Sequence, residues 1–202
     1  MIIQPELIRE ILTHTQEQIK KYCPPLPGDV ENTRKPAAVL IPLFLDQGIW
    51  KMLFIKRTQI ENDRHSGQIA FPGGRADQRD SSLLETALRE TEEEIGIKPA
   101  DVKILGQACS ITTVTDYEIT PYVGILPWPY PLQLSKIEVE KILLIPIVWL
   151  MDKKNYQVKK WKSPARPDKG IPVIFYNDFE GEMLWGATAQ IVVDFLELIQ
   201  EI

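Results

Sequence analysis

A chain of 202 residues, 44% hydrophobic and 25% charged, has the size and balance of one globular domain with a core of its own. Its net charge of −5 at pH 7 argues against a broad surface for nucleic acid or acidic membrane, because such partners need a basic field to neutralise their phosphates. A phosphate ligand has to be met locally, with a metal ion the natural aid. The two cysteines, Cys23 and Cys109, are far apart and lack CxxC or Cys/His spacing, which speaks for two unlinked buried thiols rather than a disulfide framework or a zinc site.

Residues 1–22 alternate apolar and charged positions without a cleavable leader, and no segment approaches the roughly 20 apolar residues of a membrane helix. The expectation is a cytoplasmic protein, reached by elimination, with no membrane partner. Ile8, Ile11, Leu12 and Ile19 predict a helix from about Pro5 to Lys21, ended by Cys23-Pro24-Pro25-Leu26-Pro27-Gly28. Ala37–Leu45 and Trp50–Lys56, parted by Asp46-Gln47-Gly48, predict a hairpin. Between Ser81 and Ile95 the period turns helical, with Leu84, Leu88, Thr91 and Ile95 on one stripe and Gly96 as the stop.

Further strands are expected at Val102–Gln107, Ile119–Leu126, Ile142–Val148 and residues 171–176, with a charged irregular stretch over Met151–Trp161. The segment Gly186–Ile202 reads as a helix that packs through Ile191, Val192, Phe195, Leu196 and Ile199. The order of elements predicts an α/β fold, a mixed sheet with helices on both faces. A single domain over residues 1–202, with 1–30 as an N-terminal helical extension, is expected.

Glu90, Glu93 and Glu94 follow one another at i+3 and i+4 spacing, so their side chains share a helix face. Like charges at this spacing cost a few tenths of a kcal/mol per pair, and the nearby negative end of the helix dipole adds to that cost. A divalent cation reverses the sign of each of these contributions, and carboxylate oxygens suit Mg²⁺ or Mn²⁺. A solvated acidic face is the ordinary explanation of a Glu-rich helix. Just upstream, however, lies Phe71-Pro72-Gly73-Gly74, where paired glycines let backbone approach a metal or phosphate closely.

At these residues the sequence resembles the Nudix family, whose signature is Gly, an acid six residues on, then Arg-Glu, two residues, Glu-Glu, one residue and Gly. Here it reads Gly74, Asp80, Arg89-Glu90, Glu93-Glu94 and Gly96, with Asp80 for the usual Glu and one extra residue before Arg89. The resemblance implies an α/β/α sandwich and a metal-dependent pyrophosphohydrolase. In that pattern Glu93 and Glu94 are principal ligands, Glu90 a ligand or general base, and the Gly74 carbonyl part of the coordination sphere. Arg89 orients the glutamates and pairs with Asp80, or alternatively with Glu85. Glu138 would complete the metal site from a separate loop, with Glu140 in reserve.

A second resemblance is to the coenzyme A pyrophosphatase branch. Ile55-Lys56-Arg57-Thr58 and His65-Ser66-Gly67-Gln68-Ile69-Ala70-Phe71-Pro72-Gly73-Gly74 are similar to that branch's extended motif. So are Met183-Leu184-Trp185-Gly186-Ala187-Thr188-Ala189 and Glu138-Val139 with Ile145-Pro146. Thr58 stands for Ser, the segment Arg57–Gly67 is one residue longer, and the second motif arginine is displaced to Arg64 or lost.

The branch implies cleavage of coenzyme A or acyl-CoA to 3′,5′-ADP and a phosphopantetheine. Arg57, Arg64, His65, Gly73 and Gly74 are the substrate-binding candidates. Surface charges account equally for the two arginines, and a structural hydrogen-bonded group for His65. Lys153-Lys154 and Lys159-Lys160-Trp161-Lys162 could meet a 3′-phosphate or form a solvated edge, and Trp185 reads as core. ADP-ribose or another nucleoside diphosphate sugar is the alternative substrate, and a non-catalytic nucleotide-binding module the alternative class. The expected partner is a small nucleotide, with a homodimer left open.

Overall fold

The computed structural model describes residues 4–14, 34–59, 66–162 and 170–200. Helix α1 is Pro5–His14, and the strands β1 (Lys35–Asp46) and β2 (Ile49–Arg57) form the expected antiparallel hairpin. Short strands β3 (Ile69–Ala70) and β4 (Gly73–Arg75) precede helix α2 (Leu83–Ile95). Strands β5 (Lys103–Gln107), β6 (Ile111–Thr112), β7 (Tyr117–Ile125) and β8 (Val139–Pro146) follow, then a short helix α3 (Ile147–Met151). Strands β9 (Tyr156–Lys162), β10 (Gly170–Phe179) and β11 (Glu182–Trp185) lead to helix α4 (Gly186–Gln200).

The larger sheet runs β3-β2-β1-β7-β5, with β4 on β1, β6 on β7 and β8 on β2. It is mixed because β1 and β7 pair in parallel while the other pairs are antiparallel. Both of its faces are covered, and this is why β1 and β2 read as near-continuous apolar runs. On one face Leu40, Phe44, Leu53 and Ile55 bury against Ile95 and Ile97 at the end of α2. The alternate residues Ile41, Leu43, Met52 and Phe54 belong to a larger core with α1 and α4. Helix α1 lies so close to β5 that a side chain on Gly106 would meet Leu12 Cβ at 2.6 Å.

The α/β class with helices on both faces is as expected, but three local expectations are corrected. Strand β8 ends at Pro146, and Ile147 and Val148 begin α3 instead of prolonging it; a proline offers no N–H to continue a ladder. The charged stretch before Trp161 is not irregular. Tyr156–Lys162 pairs with Gly170–Tyr176 in a second, three-stranded antiparallel sheet ordered β11-β10-β9. Exposed lysines conceal the alternation of this edge strand, and its pairing is made by β10 rather than by its own pattern. Finally, Cys109 is disulfide-bonded rather than a free thiol. Pairing depends on spatial approach, which sequence separation does not measure. Cys23 lies outside the described residues, as does the expected continuation of α1 to Lys21.

Candidate active site

Helix α2 is capped at both ends. Ser82 takes an extended conformation and its side chain accepts the Glu85 N–H at 3.2 Å, while Gly96 turns into the left-handed region at φ 75° and donates its N–H to Glu92 O. The extra residue before Arg89 falls in the loop leading to α2, where Asp77 N–H donates to Asp80 Oδ2 and Arg79 N–H to Asp77 Oδ1, each at 2.9 Å.

That loop delivers Asp80 to Arg89. The guanidinium donates through Nε to Asp80 Oδ1 at 2.9 Å and through Nη2 to Oδ2 at 3.0 Å, a two-pronged pair. Thr86 Oγ1 donates to the same carboxylate at 2.8 Å. Glu85 bonds Ser81 instead, so of the two partners open to Arg89 the structure uses Asp80. The remaining prong, Nη1, reaches Glu90 at 2.9 Å and Glu93 at 3.1 Å. Arg89 thus ties the loop to two of the three glutamates.

The third glutamate is handled differently. Glu94 is 3% exposed and its Oε2 accepts the Gly73 N–H at 2.9 Å. Burial pushes its carboxyl up to about 8, with Glu90 and Glu138 adding to the effect and the Gly73 N–H and Arg57 opposing it. Burial also raises Glu90, against the pull of Arg89. The paired glycines make this packing possible. A Cβ on Gly73 would stand 2.3 Å from Ala38 O, and one on Gly74 would stand 2.5 Å from Glu90 Cδ.

The expectation that all three carboxylates converge is therefore met only in part. Glu90 and Glu93 share Arg89, Glu94 turns inward to Gly73, and the Glu93 side chain is 56% exposed. Among the described residues no three Asp, Glu, His or Cys side chains are arrayed as ligands around one point. Like charges repel, and the donors here divide them: Glu90 and Glu93 go to one Arg89 nitrogen and Glu94 to the Gly73 N–H. The donor set nonetheless suits a hard divalent cation: clustered carboxylates, two of them pushed toward the neutral form by burial, beside a glycine backbone with no room for a side chain.

Two further residues reach this cluster from the sheet. Arg57, at the end of β2, stands with Nη1 4.0 Å from Glu94 Oε1. Glu138 lies within electrostatic reach of Glu90 and Glu94, and its carbonyl accepts the Thr58 N–H at 2.9 Å. The loop before it is fastened to the end of α2 by Gln133 N–H to Ile95 O at 3.0 Å and Ser135 N–H to Glu94 O at 2.9 Å. Sequence reasoning missed this tether, because backbone bonds between distant segments leave no mark on residue type. Arg64 and His65 lie outside the described residues. Lys159 and Lys160 are exposed on β9, and Trp185 is a partly buried ring stacked on Phe175 at 5.5 Å.

A profile of the NUDIX domain matches residues 33–155, well over half of the chain. A protein of Photorhabdus laumondii called uncharacterized Nudix hydrolase NudL is 33% identical over 177 residues, covering 88% of this chain and 91% of that protein. The chain belongs to the Nudix hydrolase family. An Escherichia coli protein of the same name is 30% identical over 191 residues, with coverage of 95% and 86%. Among solved structures, a MutT/nudix family protein from Enterococcus faecalis matches with a TM-score of 0.55 at 13% identity, covering 100% of this chain and 76% of that one, a likeness of fold. By its family the chain is a Nudix pyrophosphatase, and the family binds small nucleotides. No helix of its described residues is long and apolar enough to cross a membrane.

Proposed function

We propose that this Nudix hydrolase cleaves the diphosphate of coenzyme A or acyl-CoA, giving 3′,5′-ADP and (acyl-)phosphopantetheine, as a single domain over residues 1–202. The observation that carries the reading is the meeting of two separate motifs. Arg57, from the segment similar to the coenzyme A branch, stands 4.0 Å from Glu94 of the acidic helix. Residues 73 and 74, which end that segment, pack on Glu94 and Glu90.

In this reading Glu90, Glu93, Glu94, Glu138 and the Gly74 carbonyl hold Mg²⁺ or Mn²⁺. Such a cation, when bound, neutralises diphosphate oxygens and lowers the pKa of a water. Arg89 keeps the Glu90 carboxylate oriented, which suits Glu90 as a ligand or as the general base that takes a proton from water. Arg57 offers a planar fork to a diphosphate oxygen, and Arg64 and His65 are substrate-binding candidates through the same motif. Arg89 acts through the glutamates rather than on substrate.

The test is a panel of coenzyme A, acyl-CoA, ADP-ribose and other nucleoside diphosphate sugars with Mg²⁺ or Mn²⁺, products identified by mass. Release of 3′,5′-ADP as the preferred reaction supports the proposal. Preference for ADP-ribose with neither coenzyme cleaved overturns it and leaves the pyrophosphatase reaction standing.

A further inference from the structure

Besides the apolar core that they share, the second sheet meets the first through a charged cluster. Glu182, on β11, accepts from Lys56 Nζ at 2.9 Å and from Lys141 Nζ at 2.8 Å. Lys56 also reaches Glu140 at 3.0 Å. The Lys56 and Glu182 side chains are 15% and 14% exposed, so this pair is mostly screened from water.

The position of the two lysines gives Glu182 its importance. Lys56 on β2 and Lys141 on β8 are direct register partners across an antiparallel pair, and like charges placed opposite one another push strands apart. A carboxylate bonded to both removes that repulsion. The next register pair is Arg57 with Val139, and Glu140 falls between them as the extra residue of a β-bulge. Bulges re-aim the residues beside them. Here the residues just beyond it are Arg57, aimed at Glu94, and Glu138, whose carbonyl holds the Thr58 N–H. Glu182 and Glu140 grip the bulge through Lys56, on the side chain next to Arg57.

We infer that Glu182 is a positioning residue for the active site: by neutralising the facing Lys56 and Lys141 it holds the β2–β8 bulge in the shape that presents Arg57 and Glu138 to the glutamates of α2. The second sheet thereby takes part in building the site without touching it. The inference rests on the roles proposed above for Arg57 and Glu138.

The experiment compares Glu182→Gln, Glu182→Asp and a control, Asp46→Asn, which breaks the Lys51–Asp46 pair of 2.8 Å at the remote β1–β2 turn. Three quantities are measured: Tm, Mn²⁺ affinity of the substrate-free protein by calorimetry, and kcat/KM on the best substrate of the panel. Glu182→Gln is expected to weaken Mn²⁺ binding and kcat/KM by about tenfold, the lower end for residues that support ligands from behind. Glu182→Asp is expected to restore most of both, and Asp46→Asn to change neither. In an Arg57→Ala background, Glu182→Gln should cost less than about threefold more in kcat/KM, since coupled residues do not add. A Glu182→Gln protein with Mn²⁺ affinity and kcat/KM equal to the control's, or with effects that multiply fully with Arg57→Ala, overturns the inference. The Mn²⁺ measurement needs no substrate, so a wrong assignment of coenzyme A leaves that arm decisive.

Discussion

At the scale of single residues, the site divides into groups that hold and groups proposed to react, and their hydrogen-bond partners tell them apart. Glu94 is 3% exposed and bonded to a backbone N–H. Glu94→Gln keeps an oxygen for Gly73 and should preserve the fold, while turnover falls about 10²- to 10⁴-fold, the scale of a lost catalytic group. Circular dichroism and a saturating-metal assay check it, and near-wild-type turnover would remove Glu94 from the metal site.

Arg89 is the holding group. Its hydrogen bonds, followed by the Asp77 N–H, keep the Asp80 carboxyl far below the ordinary carboxylate range. A depressed folded pKa contributes stability that is present above the unfolded value of about 4 and is lost as pH falls below it. Arg89→Ala should therefore lower Tm at neutral pH by about 5–10 °C and flatten the acid limb of the Tm–pH profile. An unchanged Tm with a selective rise in KM would point to substrate contact instead.

At the scale of elements, the two long helices α2 and α4 are readable from spacing, whereas α3 is not. Leu84, Leu88 and Ile95 announce α2 by their spacing, and Ser82 and Gly96 bound it within two residues of the expected ends. Strand β9 is hidden in the sequence because exposed lysines conceal its alternation and its pairing is made by a separate segment, β10. The same distinction governs α4, whose apolar stripe is legible in its spacing while the burial of its acid Asp194 is not.

Asp194, on that helix, is pushed up to about 6 by burial, with Gln190 opposing at 2.7 Å and Glu197 adding to the push. A raised folded pKa gives a contribution present below the unfolded value of about 4 and lost as pH rises through the folded one. Asp194→Asn should leave stability near pH 4 unchanged. Above pH 6 it should raise stability by about 2 kcal/mol, read as a Tm higher by roughly 4–8 °C. Equal gains at both pH values would show that the carboxylate is not the source.

At the scale of the whole molecule, two sheets and two cores place the site where β2, β8, the β3–β4 segment and α2 converge. A substrate as long as coenzyme A must extend past the metal-binding glutamates, so its distal groups should register in the kinetics. If the site reads the 3′-phosphate, dephospho-coenzyme A should lose kcat/KM by roughly ten- to a hundredfold, the worth of one charge-assisted contact. Equal kcat/KM for the two coenzymes would remove Arg57 and the basic β9 edge as readers of that phosphate.

The sequence by itself determined the family, the acidic helix and its stop at Gly96, the hairpin and the glycine pair, because each is a local pattern of spacing or backbone freedom. It also named Arg57 and Glu138 as candidates, through resemblance. Only the tertiary structure decided that Arg89 chooses Asp80 over Glu85, that Glu94 turns inward while Glu93 faces solvent, and that Cys109 is bonded. It alone revealed the second sheet and Glu182 between two facing lysines. The reason is common to all of these: which charges meet, and which become buried, depends on how separate segments pack, and residue spacing along one segment carries no information about its neighbours across the fold.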